Sequence, residues 1–293
     1  MRITARDAQQ AIASTDEVMF SAPTRNRQHV APRQVIERQP EVEIAVNAVA
    51  QIGDVGDGNL CRAREAIEKA SVTARGDDVT VELEGGRGWS ISIGNWGFGS
   101  AKVSVRITCP TGSDLECDTA SADIRVTGAL GEARIRTASG DMGLDRVEGS
   151  LEAKSASGDI RVEHVEGRAT VSTVSGDVGL RTAMSGLGVN SVSGDVVLGE
   201  VYGDLSVGTV SGDLIVRAAG PGDVGLKAVS GDVVVAMRRG LRVRLDVNSV
   251  SGSVGSELDV SDAPSRTDGP EATLRVRTVS GDVRITRAAE AVA

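Results

Sequence analysis

The sequence predicts an all-β fold, a parallel β-solenoid with about 18 residues per coil, on three observations. A phrase of the type TVSGD stands at 173–177, 209–213 and 278–282, with the variants TASGD and SASGD before them and SVSGD and AVSGD between. Its serine falls at Ser121, Ser139, Ser157, Ser175, Ser193 and Ser211, each step 18 residues, then at Ser230, Ser251 and Ser280, with steps of 19, 21 and 29. Apolar residues recur as triplets at offsets 0, 2 and 5, every nine residues, as in Ile160/Val162/Val165, Ala169/Val171/Val174, Leu187/Val189/Val192 and Leu205/Val207/Val210.

Each observation has a structural reading. Offsets 0 and 2 place two side chains on one face of a strand. Offset 5 requires a corner, after which a third apolar group turns inward. No 3.6-residue period is present, so a helix is excluded here. A second glycine mark, at Gly131, Gly149, Gly167, Gly203 and Gly222, lies eight residues before the next repeated serine and splits each unit in two. Stacked coils put like positions about 4.8 Å apart. From Leu115 to Val235 about seven coils fit. The chain is 40% hydrophobic, yet Phe20, Trp89, Trp96, Phe98 and Tyr202 are all its aromatics. A thin Val/Leu/Ala interior between sheets about 10 Å apart explains that shortage.

The remaining segments follow in chain order. Residues 1–40 carry Pro23, Pro32 and Pro40 and read as a flexible tail or linker, with a short helix conceivable in DAQQAIASTDEVMF. Residues 41–112 read as a small β-rich (α+β) cap on the first coil. Val42, Ile44 and Val46 alternate as a strand, NLCRAREAIEKA has a helical apolar face, and DDVTVELE, GWSISI and AKVSVRITC are further strands. Such a cap is needed because an open solenoid end invites edge pairing. Residues 113–293 hold the repeat and a C-terminal cap. There GLRVRLDVNSV is a longer alternating strand, DVSDAPSRTDGPEAT is a polar loop, and LRVRTVSGDVRITR returns to the repeat and closes it.

The SGDV repeats, the segment LDVNSVSGSVGSEL and the closing VRTVSGDVRITR resemble a bacterial β-strand-repeat family that carries an adhesin label and no assigned function. The resemblance spans roughly 41–287. It implies a right-handed β-solenoid-like fold and no catalytic motif, so no catalytic residue is carried over.

Charge and composition exclude several classes. A net charge of −9 argues against nucleic-acid binding, which needs a concentrated basic face. Three cysteines, Cys61, Cys109 and Cys117, are no secreted disulfide framework. No run reaches the roughly 18 apolar residues of a membrane span. The first twenty residues lack a signal-type apolar segment, so the cytoplasm is the expected compartment.

The repeated phrase invites a chemical reading. Asp141, Asp159, Asp177, Asp195, Asp213 and Asp232 form a column that could act as a cation ladder, Ca²⁺ being the natural occupant. Calcium β-rolls, however, carry glycine pairs and aspartate in every nonapeptide, and alternate halves here do not. Neighbouring carboxylates repel by only about 0.9 kcal/mol in bulk water at about 4.8 Å, and aspartate serves turns without a metal. A serine nucleophile needs a base, and the histidines are His29, in the tail, and His164, at one corner. Cys109 and Cys117 occupy inward slots as small core residues. Two surfaces remain as partner-binding candidates: Trp96 and Phe98 in GNWGFGS, and the cluster Arg238, Arg239, Arg242 and Arg244, able to meet an acidic protein or anionic lipid. The expectation is a non-enzymatic scaffold with a protein partner. The alternative is a cation-binding or envelope-stress accessory, adhesin-like, acting peripherally with a membrane partner.

Overall fold

The computed structural model describes residues 2–6, 41–51, 70–75, 78–83, 100–258 and 269–289, with side chains described for Ile44 and, within those ranges, from Thr111 onward. Among these residues there are strands and turns and no helix, so the all-β parallel solenoid of about 18 residues per coil is observed. The first five strands are β1 (Arg2–Arg6), β2 (Glu41–Gln51), β3 (Ala70–Arg75), β4 (Asp78–Leu83) and β5 (Ser100–Pro110). Next comes β6 (Asp114–Leu130), which turns the corner between the two sheets, A and B.

The coils then alternate. Sheet A receives β7 (Ala133–Ser139), β9 (Leu151–Ser157), β11 (Ala169–Ser175), β13 (Leu187–Ser193), β15 (Leu205–Ser211) and β17 (Gly222–Ser230). Sheet B receives β8 (Met142–Val147), β10 (Ile160–Val165), β12 (Val178–Ala183), β14 (Val196–Val201), β16 (Leu214–Ala219) and β18 (Val233–Met237). The last four strands are β19 (Arg242–Ser251), β20 (Val254–Ser256), β21 (Glu271–Ser280) and β22 (Val283–Arg287). Pairing is parallel and in register. Ile160 lies beside Val178 and Val178 beside Val196, while Ser175 lies beside Ser193 and Ser193 beside Ser211.

The corner explains the phrase. Gly176 and Gly194 have φ of 141° and 127°, a left-handed region that favours glycine. A Cβ on Gly194 would also lie 2.3 Å from the carbonyl oxygen of Gly176. The glycine column is therefore required twice, by dihedral angle and by stacking distance. The aspartate that follows ties coil to coil. Oδ1 of Asp141, Asp159, Asp177 and Asp195 each accepts the N–H of the next aspartate up the stack, at 2.8–3.0 Å.

The two half-coils differ, which corrects the triplet reading. In sheet B all three members turn inward: Ile160, Val162 and Val165 are buried. The ladder there skips Glu163, Arg181 and Gly199, and the skip shifts the phase so that Val165 faces in. In sheet A the skip comes later, at Val174 itself, between the Thr173 and Ser175 pairs, so alternation holds through Thr173. Ala169, Val171 and Thr173 are buried, while Val174 is 51% exposed. Thr137, Ser155, Ser191 and Thr209 are buried at the same position as Thr173. A regular strand has no means of turning offset 5 inward, so a hydroxyl residue takes the inner place and valine the outer.

Both ends also depart from expectation. Residues 2–6, assigned to the tail, form β1, which runs antiparallel to β4 and β6 with Ile3 opposite Cys117. Five residues are too few to announce a strand, and their partner on β6 lies more than a hundred residues away. In sheet B, β2 runs antiparallel to β5 and β6, with Ile44 opposite Val126. The first coil is thus covered in both sheets. NLCRAREAIEKA up to Lys69, GWSISI, Trp96 and Phe98 lie outside the described residues.

At the far end the last strands of the chain do not end the stack. β21 lies between β17 and β19, and β22 between β18 and β20. After β18 the chain passes over one level, builds β19 and β20 as the terminal coil, then returns to fill the gap. The bond from the Asp282 N–H to Asp232 Oδ1, 2.9 Å across a separation of 50 residues, continues the aspartate ladder through the inserted coil. The inserted strand takes fully buried positions, Ala272, Leu274 and Val276, whereas Val243, Leu245 and Val247 of β19 are only partly buried.

Substituting the column should separate clash from propensity. Gly194→Ala combines a disallowed φ with a backbone overlap and is expected to cost about 2–5 kcal/mol in denaturant unfolding. Gly188→Ala, whose Cβ would meet nothing nearer than 4.0 Å, should be neutral or stabilise by up to about 1 kcal/mol.

Candidate interaction surface

Sheet A presents an ordered outer face. Because offset 5 points outward, stacking aligns Val174 (β11), Val192 (β13), Val210 (β15), Val229 (β17), Val279 (β21) and Val250 (β19) in one column. Each is about half exposed or more, from 47% at Val192 to 78% at Val250. Six levels span about 24 Å at the usual strand spacing. Toward β6 the column continues with the exposed Ala156, Ala138 and Ala120. An open groove of about 280 Å³ runs between Val174 and Val192 on one side and Lys154, Ser172 and Asn190 on the other. Triplet counting concealed this face, because it assigned those valines to the core. The signal that reveals it is the Thr or Ser that stands immediately before every one of these valines but Val229, which follows Ala228.

The aspartate column lies one corner away. One carboxylate oxygen of each member is committed to the N–H of the next coil, as described above. The ladder ends where Asp282 Oδ1 accepts the Ser253 N–H at 2.8 Å. That bond holds the Asp282 carboxyl below the usual carboxylate range, since it favours the ionised form. Among the described residues, no group of three or more His, Cys, Asp and Glu side chains is placed to share a metal ion.

The four arginines divide. Arg238 Nη2 contacts Glu200 Oε2 at 2.7 Å, and its guanidinium sits 4.2 Å over the Tyr202 ring, a cation–π contact that ties the last regular coils together. Arg242 pairs with Glu271. Arg239 and Arg244 are exposed. The four therefore do not form one uniform patch. His164 Nε2 lies 3.8 Å from Glu166 Oε1 on the surface, with no serine hydroxyl hydrogen-bonded to it among the described residues. Cys117 is buried and its thiol is pushed up to about 12, first by burial and then by Asp118. That keeps it a neutral core group.

A second charged feature was not anticipated. Glu152 on β9 is ringed by Lys154 Nζ at 2.6 Å, Arg134 Nε at 2.9 Å and Arg136 Nη2 at 3.7 Å. The Lys154 and Arg134 hydrogen bonds lower its carboxyl to about 2. All partners are solvent-exposed, so the network is open to salt screening.

Removing one rung of the ladder should be measurable. Asp195→Ala leaves the Asp213 N–H without its acceptor and should lower stability by about 0.5–1.5 kcal/mol. Asp195→Asn keeps an acceptor oxygen and should stay within about 0.5 kcal/mol of wild type. Glu152 gives a pH test. Its folded-state value lies below the 4.5 of a free glutamate, so its contribution is present above pH 4.5 and fades as pH falls toward 2. Carboxyl NMR titration should place its midpoint near 2 at low salt and move it upward at about 1 M salt, where the screening length is about 3 Å.

No curated protein and no solved structure matches the chain. The Toastrack DUF4097 family model matches twice, over residues 63–186 and 181–286. These spans contain the regular coils, the terminal coil and the inserted strands. The family is a repeat domain of unknown function, so the solenoid expectation holds while the adhesin label of the resemblance is not carried by it. With two overlapping matches covering well over half its length, the chain belongs to the Toastrack DUF4097 family.

Proposed function

We propose that the protein is a non-enzymatic scaffold that docks a protein partner on the outer face of sheet A. The observation that carries this reading is the column of half-exposed valines over six consecutive levels. A contiguous apolar row on an otherwise polar surface marks an interaction site more often than an accident of folding. Each valine sits between two residues that are laddered to the neighbouring strands, as Val174 sits between Thr173 and Ser175, and a backbone fixed in this way lowers the entropic cost of docking. The partner complements it in two ways. It presents an apolar strip to the valines, and acidic groups beside that strip to meet the exposed Lys227, Arg275 and Arg277 of β17 and β21.

The test uses the full chain as bait in extracts of its native host, beside the triple variant Val192→Ser, Val210→Ser, Val229→Ser. Surface exchanges of this kind cost little stability, so thermal melting should stay close to wild type. Recovery of the captured partner should fall by about tenfold or more, the equivalent of about 1.4 kcal/mol. Undiminished capture by a folded triple variant would remove sheet A as the docking face.

A further inference from the structure

The two ends of the solenoid are built differently. At the β6 end both sheets are closed by antiparallel partners, β1 and β2. At the other end β19 pairs with β21, from Arg242 opposite Glu271 to Ser251 opposite Ser280, and among the described residues with nothing on its second side. The core is open there. Val243, Leu245 and Val247 pack against it yet stay half-buried, while their counterparts inside the stack, Leu226 and Leu274, are sealed. Ten residues of unpaired strand edge over an open core form a template for another strand.

The strand carries its own complement. A second copy of β19, run antiparallel about a two-fold axis, must keep inward residues opposite inward residues, because the side-chain period is two. Centred on Leu245, the register sets Leu245 opposite Leu245, Val243 opposite Val247, and Arg242 opposite Asn248. It also sets Arg244 opposite Asp246 twice, once on each side of the axis. A shift by two residues in one direction puts Arg244 opposite itself. The same shift in the other direction puts Asp246 opposite itself. Like charges directly opposite are destabilising, and opposite charges add support. The charges thus select one register among these three, and it is the one that also pairs the three apolar residues with one another.

The chain's own segment 259–268, DVSDAPSRTD, is a weaker candidate to cover the edge. Its apolar content is Val260 and Ala263, and Pro264 has no N–H to donate.

We propose that the protein forms a two-fold dimer, end to end through the terminal coil, with β19 of each copy pairing antiparallel about Leu245. The contact is isologous and uses the β19 edge of both copies, so assembly through this edge closes at two copies. This inference stands apart from the sheet A docking face, since Val243, Leu245 and Val247 belong to the open end and not to the valine column.

Sedimentation velocity and light scattering on the full chain, over a concentration series, test it. Wild type should show twice the chain mass of 30.2 kDa. Arg244→Asp and, separately, Asp246→Arg put like charges opposite each other at both symmetric sites and should each weaken dimerisation by about tenfold or more. The double variant Arg244→Asp/Asp246→Arg restores opposite charges and should recover the dimer to within a few-fold of wild type. Far-UV circular dichroism and melting confirm that each variant is folded. A wild-type monomer throughout the series, as when the chain's own segment covers the edge, would overturn the proposal. So would filaments, a dimer indifferent to both single reversals, or a folded double variant that stays monomeric.

Discussion

Everything in this molecule depends on one repeated approach: the backbone corner of each coil sits directly on that of the coil before it. A Cβ on Gly194 would stand 2.3 Å from the Gly176 carbonyl oxygen, which leaves glycine as the residue that lets coils stack at strand spacing with a left-handed corner. The next residue exploits the same proximity. Its carboxylate oxygen is close enough to accept the N–H one level up, so every corner is both a steric contact and a hydrogen bond. The column runs from Asp123, which accepts the Asp141 N–H at 3.0 Å, to Asp282. Repetition of the phrase is thus a consequence of translation: what one corner requires, all corners require.

That spacing also sets what the core can hold. Two sheets close together, each fed by small aliphatic residues, leave little room for large rings, and among the described residues the buried hydrophobic set is Val, Leu, Ile, Ala, two methionines and one cysteine. The sheets are not equivalent, because the residue the ladder skips is the fourth of the sheet B repeat, as at Glu163, and the sixth of the sheet A repeat, as at Val174. In consequence the regular coils bury an aliphatic group at the end of the sheet B strand and, at the end of the sheet A strand, a hydroxyl residue or, in β17, Ala228. The valine beside that hydroxyl is left outside. An ordered apolar face is therefore a by-product of where the skip falls as much as of composition, and the stack multiplies one exposed valine into a row.

A solenoid also has to end. The first coil is closed by strands from the N-terminal part of the chain, and the terminal coil is built before the coil beneath it in chain order. The order is physically reasonable. β21 brings residues that seal when flanked on both sides, and β19 brings alternating charges that suit an edge. The same alternation makes that edge selective, since the signs of Arg244 and Asp246 decide which second strand fits.

Much of this was legible in the amino-acid order. The coil length, the corner glycines, the stacked aspartates and most inward residues follow from spacing, because a translational repeat writes the same local chemistry at each level. The sheet A valines were misassigned for a local reason: two adjacent residues, Thr173 and Val174, compete for one inward place, and hydrophobicity alone names the wrong one. Three features were decided by tertiary structure alone. Those are the docking of β1 on β6, the insertion of β21 and β22 between earlier coils, and the one-sided pairing of β19. All are pairings between distant segments. Many strands of this chain share one alternating pattern, so periodicity tells each strand which face is inward. It cannot tell the strand which neighbour lies beside it. That choice is made by how the connecting segments reach and by which strand can seal its inner face on both sides.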